Sequence, residues 1–142
     1  FDDWAKTNGV YLGRIPFEEL RDRSKWADLL ILPMGFDKSC SQIERTSFKT
    51  KFLDYLAFRR PIFIWGPEYC SAIHVAREFD AAECHMSKSA SECAASLGVM
   101  AKAPERRKTL IRNANKMYED RFHPDIIHQN LVDRFDETVE AL

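Results

Sequence analysis

The chain has 142 residues, 45% of them apolar and 30% charged, with a formal net charge of -1. That length suffices for one domain with its own core, and that balance excludes a disordered chain. It also excludes a globally basic, nucleic-acid-binding field, and no run nears the roughly 18 apolar residues that span a bilayer. The basic clusters Arg59-Arg60 and Arg106-Arg107-Lys108 read as solvated faces. Cys40, Cys70, Cys84 and Cys93 form neither a C-x-x-C pair nor a metal-ligand rhythm, and His74 and His85 are scattered. These features predict reduced thiols, no metal, no signal peptide and a cytoplasmic location, with peripheral membrane association left open for a full-length protein.

Phe1, rather than Met, stands first, which suggests a piece cut from a longer polypeptide. Val10-Tyr11-Leu12-Gly13-Arg14-Ile15-Pro16 is a short apolar run closed by proline, predicting a strand and its exit loop. With no earlier strand beside it, its open edge is expected to recruit another chain. Phe17 to Trp26, with apolar positions at 17, 20 and 26, predicts a helix. Leu29-Leu30-Ile31-Leu32-Pro33 is continuously apolar and predicts a strand covered on both faces. Met34 to Lys49 is polar, a long loop of the kind that is functional or mobile.

A helix is expected from Thr50, followed by Arg59-Arg60-Pro61 and a second buried strand, Pro61-Ile62-Phe63-Ile64-Trp65, broken by Gly66-Pro67. Ser71 to Phe79 predicts a short helix capped by Ser71, and Ala81 to His85 a brief edge strand. Residues 89 to 142 predict a helical part. Ser89-Ala90-Ser91-Glu92 fits a capping box, ahead of a stripe at Ala90, Cys93, Ala94, Leu97 and Met100 or Ala101. Pro104 opens a helix with Leu110, Ile111, Ala114, Met117 and Tyr118 inward; Pro124 opens another with the stripe Ile127, Leu131, Phe135, Thr138 and Leu142. Apolar strands alternating with helices predict an α/β fold, a partial, Rossmann-like parallel sheet flanked by helices, in a single incomplete domain. In such sheets ligands bind beyond the carboxyl ends of the strands.

The helix that begins near Thr50 carries the candidate site. Ser47 or Thr50 can cap it, Lys51 lies in its first turn, and its free N–H groups and positive dipole end suit a phosphate. Asp54 sits one turn inward, about 5.4 Å along the axis, where a ribose hydroxyl pair could meet its carboxylate. An ordinary alternative stands beside this: Thr50 caps, and Lys51 pairs with Asp54 at i, i+3 for about 0.2–0.5 kcal/mol. A first-turn cation opposes the helix dipole, which makes more sense with an anion nearby. Gly13-Arg14-Ile15 reads equally as a simple turn or as a nucleobase contact, and Gly66-Pro67-Glu68 carries the same ambiguity. Glu44 and Asp37 are loop carboxylates able to meet a substrate or merely to stay solvated.

The order Gly13, Ala27-Asp28-Leu29-Leu30-Ile31-Leu32-Pro33, Ser47-Phe48-Lys49-Thr50-Lys51-Phe52-Leu53-Asp54-Tyr55-Leu56-Ala57, Arg60-Pro61-Ile62 resembles a known group. It is similar to the nucleotide-sugar-binding C-terminal domain of GT-B glycosyltransferases related to family 4. The tail, with Glu105-Arg106-Arg107, Asn113-Ala114 and Arg121-Phe122, resembles the end helices of that domain. The resemblance implies that Ser47, Thr50 and Lys51 hold the donor diphosphate and Asp54 the donor ribose. Gly13, Arg14 and Ile15 would lie near the base, and Met34, Gly35 and Phe36 near the donor sugar.

The resemblance further implies transfer from a nucleotide diphosphate-sugar, as substrate and with no cofactor or metal, to a sugar or lipid-linked acceptor. The acceptor would be held by a missing N-terminal domain, with retention of configuration, so the piece alone would be inactive. Asp54 replaces the family's usual Glu, Lys49 stands where Pro is common, and Arg59 where Gly is common. Thr46 stands eight residues before Asp54, where many members carry another acid. The second expectation is therefore a non-catalytic nucleotide-sugar-binding or scaffold module. A receiver-like or flavodoxin-like domain would want an acidic pocket at the strand ends, and here only Asp28 precedes a strand.

Overall fold

The computed structural model describes residues 2–11 and 13–140, without the side chains of residues 2, 17, 139 and 140. Three parallel strands form its sheet, β1 (Leu30–Pro33), β2 (Ile62–Trp65) and β3 (Glu83–His85), in the order β1-β2-β3. Leu30 registers with Ile62 and Pro33 with Trp65; on the other side Phe63 registers with Glu83 and Trp65 with His85. The fold is α/β, with helices flanking a small parallel sheet, and no described helix is long and apolar enough to cross a membrane.

The central strand follows from composition. Ile62, Phe63 and Ile64 are β-branched or aromatic and fully buried, each worth about 1.5–3 kcal/mol of burial. Successive side chains point to opposite faces, so β2 feeds two cores. Ile62 and Ile64 pack with Phe52 and Leu56 of α4 (Thr50–Ala57) and with Ala72, Ile73 and Ala76 of α5 (Ser71–Glu78). Phe63 packs instead with Cys93 and Met100 of α6 (Ala90–Ala101) and Leu110 of α7 (Pro104–Met117). As expected, Ser89 caps α6, its hydroxyl accepting from the Glu92 N–H at 3.3 Å. Arg107 then closes the far end of α6, donating to the carbonyls of Met100 and Ala101.

Several expectations need correction. Residues 10, 11 and 13–16 form no strand, and Leu12 lies outside the described residues. A helix α1 (Asp2–Thr7) precedes them, and the N–H groups of Val10 and Tyr11 both donate to the Ala5 carbonyl, at 2.8 and 3.0 Å. Donors spent on closing a helix cannot join a ladder. Gly9 and Gly13 mark the turns with φ of 66° and 80°. The edge expected around Tyr11 is therefore not a strand edge; the edge strands of the sheet are β1 and β3.

β1 is likewise not covered on both faces, since Ile31 is 43% exposed. Leu30 and Met34 donate to the Pro61 and Trp65 carbonyls, so the backbone groups of Ile31 and Pro33 face away from β2. Pro33 brings no N–H to that edge. The helix expected over 17–26 ends earlier, as α2 (Phe17–Ser24), and Trp26 is 90% exposed.

Met34 to Lys49 is not one loop: it holds a short 3-10 turn (Lys38–Cys40) and α3 (Ser41–Thr46). After a π-turn (Tyr118–Phe122), α8 (Pro124–Glu140) leaves its stripe uncovered, with Ile127, Leu131 and Phe135 exposed; Leu142 lies outside the described residues. Arg59, just past α4, holds φ at 54°, the left-handed geometry that glycine adopts at least cost.

Candidate functional site

The carboxyl ends of the three strands are tied into one rim. Phe36, after β1, packs on the Trp65 ring with centroids 6.0 Å apart, and Trp65 donates its Nε1–H to the Ser87 carbonyl at 2.8 Å. Gly66 donates to the His85 carbonyl at 3.1 Å, joining the exits of β2 and β3. No room remains for a side chain at Gly66, where an added Cβ would lie 2.5 Å from the Met34 Cβ. The segment after β1 is thus built in: Met34 is buried, and Gly35 and Phe36 are half-buried.

Helices α4 and α5 begin at this rim. Thr50 is not the cap of α4; it is the first helical residue, and Lys49 takes the cap position without a side-chain cap bond. Ser47 is not that cap either, since it ends α3, and its carbonyl accepts the Ser71 hydroxyl at 2.9 Å. Ser71 likewise is the first residue of α5, with Cys70 at its cap position. That one bond ties the approach to α4 to the start of α5. Their unpaired N–H groups leave a partial positive charge at each helix end.

Thr50, Lys51 and Asp54 are all exposed on α4. Phe52 and Leu56 face the core instead. Among the described residues no ion pair joins Lys51 to Asp54, and neither side chain has another charged partner within 4.0 Å. Gly13, Arg14 and Ile15 lie in the coil between α1 and α2, and among the described residues no hydrogen bond brings them to the rim. The structure therefore gathers Met34, Gly35, Phe36, Ser47, Thr50 and Lys51 at one end of the sheet. It does not bring Gly13–Ile15 to them through any polar contact.

A carboxylate lies at the centre of the rim. Glu44 of α3 is only 7% exposed. Its Oε1 accepts the Gly35 N–H at 3.3 Å, and its Oε2 stands 3.0 Å from Lys49 Nζ. The Cys70 thiol, fully buried, points at the same Oε2 from 3.9 Å. Burial first, and then the negative charge of Glu44, push that thiol up to about 11, so it is protonated at neutral pH and serves as a weak donor. Glu44 thus joins the β1 exit, the α4 cap and the α5 cap. Glu44 and Lys49 neutralise each other, and the two helix ends add partial positive charge beside them.

Glu44 was legible only as one loop carboxylate among several, and Lys49 only as a departure from a motif. No periodicity could have found the pair, because on α3 the apolar Ile43 is 59% exposed while Glu44 is buried. Thr46 turns its hydroxyl back onto the Gln42 carbonyl. His85 does not face the site; its ring stacks on Phe63, 6.2 Å away. A separate cleft of about 520 Å³ opens at the other end of the sheet, with Arg21, Lys25, Phe58, Arg59 and Tyr118 in its walls. Two of its three cations, Lys25 and Arg59, are engaged with Asp22 and Glu119, and it lies away from the strand ends where such sheets bind ligands. No group of three or more His, Cys, Asp or Glu side chains arranged to hold a metal occurs among the described residues.

Comparison of the chain with protein-family models, with characterised proteins and with solved structures finds no match.

Proposed function

We propose that the chain is the donor-binding part of a glycosyltransferase, a Rossmann-like unit that binds a nucleoside diphosphate-sugar at the carboxyl rim of its sheet. One observation carries the reading: α4 and α5 both open at that rim, with Lys49 and Lys51 at the head of α4 and Asp54 one turn further on. A diphosphate would take the free N–H groups and the lysines. The exposed Asp54 carboxylate would take the ribose hydroxyls, and the Met34–Phe36 segment would border the sugar.

As the sugar is transferred, negative charge grows on the departing diphosphate. Helix ends and lysines already in place stabilise that charge without reorganising, which is electrostatic catalysis. The acceptor belongs to a further domain, so the chain alone binds and does not transfer.

Titration with UDP-, GDP- and ADP-sugars, followed by the amide resonances of Thr50, Lys51 and Asp54, tests this. One of the three is expected to shift all these amides, and Asp54→Ala is expected to weaken it about ten-fold, the loss of a hydrogen bond to a charged group. Unmoved amides with every donor would sink the proposal. A second reading, binding without chemistry, draws on Thr46, which places a hydroxyl turned onto its own helix where an acid would be expected. Tight binding with no turnover in a longer protein that holds both domains would favour it. The open edge of β1 adds a partner to the proposal: a strand of another chain, a second copy included.

A further inference from the structure

The cleft at the far end of the sheet is built from segments that the donor-site reading does not use. Arg21 and Lys25 come from the end of α2 and Arg59 from the turn after α4, while Asn115, Tyr118 and Glu119 come from α7 and the π-turn. Three cations thus converge on walls that hold one carboxylate, Glu119. A cleft dominated by one sign of charge focuses its field on whatever enters.

The ordinary role of such cations is to complement the negative end of a helix. At α2 that role is already taken, since the Ser24 and Lys25 carbonyls both accept from the Arg60 guanidinium, the first from Nε at 3.2 Å. Arg21 is left with no ion pair among the described residues. Lys25 pairs with Asp22 at 2.6 Å, but both groups are largely exposed, and water and salt weaken such a contact.

Arg59 is the more informative residue. Left-handed backbone at a φ of 54° disfavours a side chain, and glycine would hold the same turn at less cost. Its guanidinium stands 3.9 Å from Glu119, beyond hydrogen-bond reach, so that contact does not account for an arginine here. The facing wall is irregular too: Tyr118 and Glu119 belong to the π-turn, a rare geometry that recurs at functional sites. Two unusual backbone segments therefore present a loosely held cation and a tyrosine to one cavity. Its volume, about 520 Å³, falls in the range of small-ligand sites.

We propose that this cleft is a second anion site, where Arg21, Lys25 and Arg59 bind a phosphate dianion, either free or as the monoester of a small molecule. Guanidinium forks match phosphate oxygens in pairs, and the lysine adds charge without fixed direction. The Asn115 amide and the Tyr118 hydroxyl offer hydrogen bonds to the body of an ester. The site stands apart from the carboxyl rim and does not depend on what the rim binds.

The test titrates the chain with inorganic phosphate and with glucose 6-phosphate, at one ionic strength balanced by chloride. The amide resonances of Arg21, Lys25 and Tyr118 report the cleft, and those of Thr50 and Lys51 report the rim. Saturable shifts at the cleft are expected. Arg59→Gly, which suits the backbone and keeps the fold, should weaken them about ten-fold, as should Arg21→Gln. Lys102→Gln, outside the cleft, should leave the affinity unchanged. Tighter binding of the ester would assign the site to a monoester, and equal or weaker binding to free phosphate.

Cleft amides that stay unmoved with both probes would overturn the proposal. So would an affinity unaltered in Arg59→Gly, or one that falls as far in Lys102→Gln, which would reduce the effect to general charge attraction. Shifts confined to Thr50 and Lys51 would sink this site and leave the donor reading standing. Saturation at the cleft, with a rim that no nucleotide-sugar moves, would do the opposite.

Discussion

Arg106 of α7 grips Asp80 with both ends of its guanidinium, Nη1 to Oδ2 at 2.7 Å and Nη2 to Oδ1 at 2.8 Å. Asp80 sits in the tight link between α5 and β3, at a φ of 49°. Asn113 adds bonds to its carbonyl and carboxylate, and Arg106 also reaches Glu83 of β3. One α7 side chain thus fixes the link that delivers β3 to the sheet edge.

The Arg106 hydrogen bonds hold the Asp80 carboxyl below its ordinary value of 3.8, against the upward pull of partial burial. A carboxylate with a lowered native pKa contributes stability that is complete above the unfolded value and disappears as pH falls through the native one. Arg106→Ala should therefore cost stability at pH 7 and progressively less below about pH 4. The pair is a third to a half exposed, so the expected loss is about 1 kcal/mol, in the range of screened pairs. Urea unfolding of both proteins at pH 7 and pH 3 checks it; an equal gap at the two pH values would assign the effect to packing.

Gly66→Ala should destabilise the fold by roughly 1–3 kcal/mol through overpacking. The clash is with Met34 Cβ at 2.5 Å and Cγ at 2.8 Å. Shortening Met34 to Ala should not rescue it, because the nearer atom remains. A midpoint in denaturant equal to wild type would show that β1 and β2 can separate at this end.

Arg59→Gly should raise stability by roughly 1 kcal/mol, since a side chain is held in left-handed backbone just past α4. The substitution gives up only a 3.9 Å contact with Glu119 between two largely exposed groups. Thermal unfolding reads the result, and a lower midpoint would mean that the guanidinium contributes more than its backbone costs.

The free edge of β1 offers the N–H and C=O of Ile31, and the Tyr55 hydroxyl reaches that carbonyl only at 3.4 Å. Sedimentation across a concentration series should show self-association, reduced by Ile31→Lys, a substitution that blunts such edges. A monomer at every concentration would end this expectation.

Local chemistry determined much of the chain. The buried run Ile62–Trp65, the cap at Ser89 and proline starts at Pro104 and Pro124 are short-range signals, and each appears where the residues require it. Thr50, Lys51 and Asp54 were legible as the opening turns of a helix for the same reason. Tertiary structure decided the rest. Val10 and Tyr11 look like a strand, yet their N–H groups close α1, because a backbone donor takes the acceptor its fold brings nearest. Glu44 is buried and Ile43 exposed because Gly35, Lys49 and Cys70 come together around that carboxylate from three other segments. Hydropathy ranks a residue by its own transfer cost, and only partners distant in sequence can offset the burial of a charge.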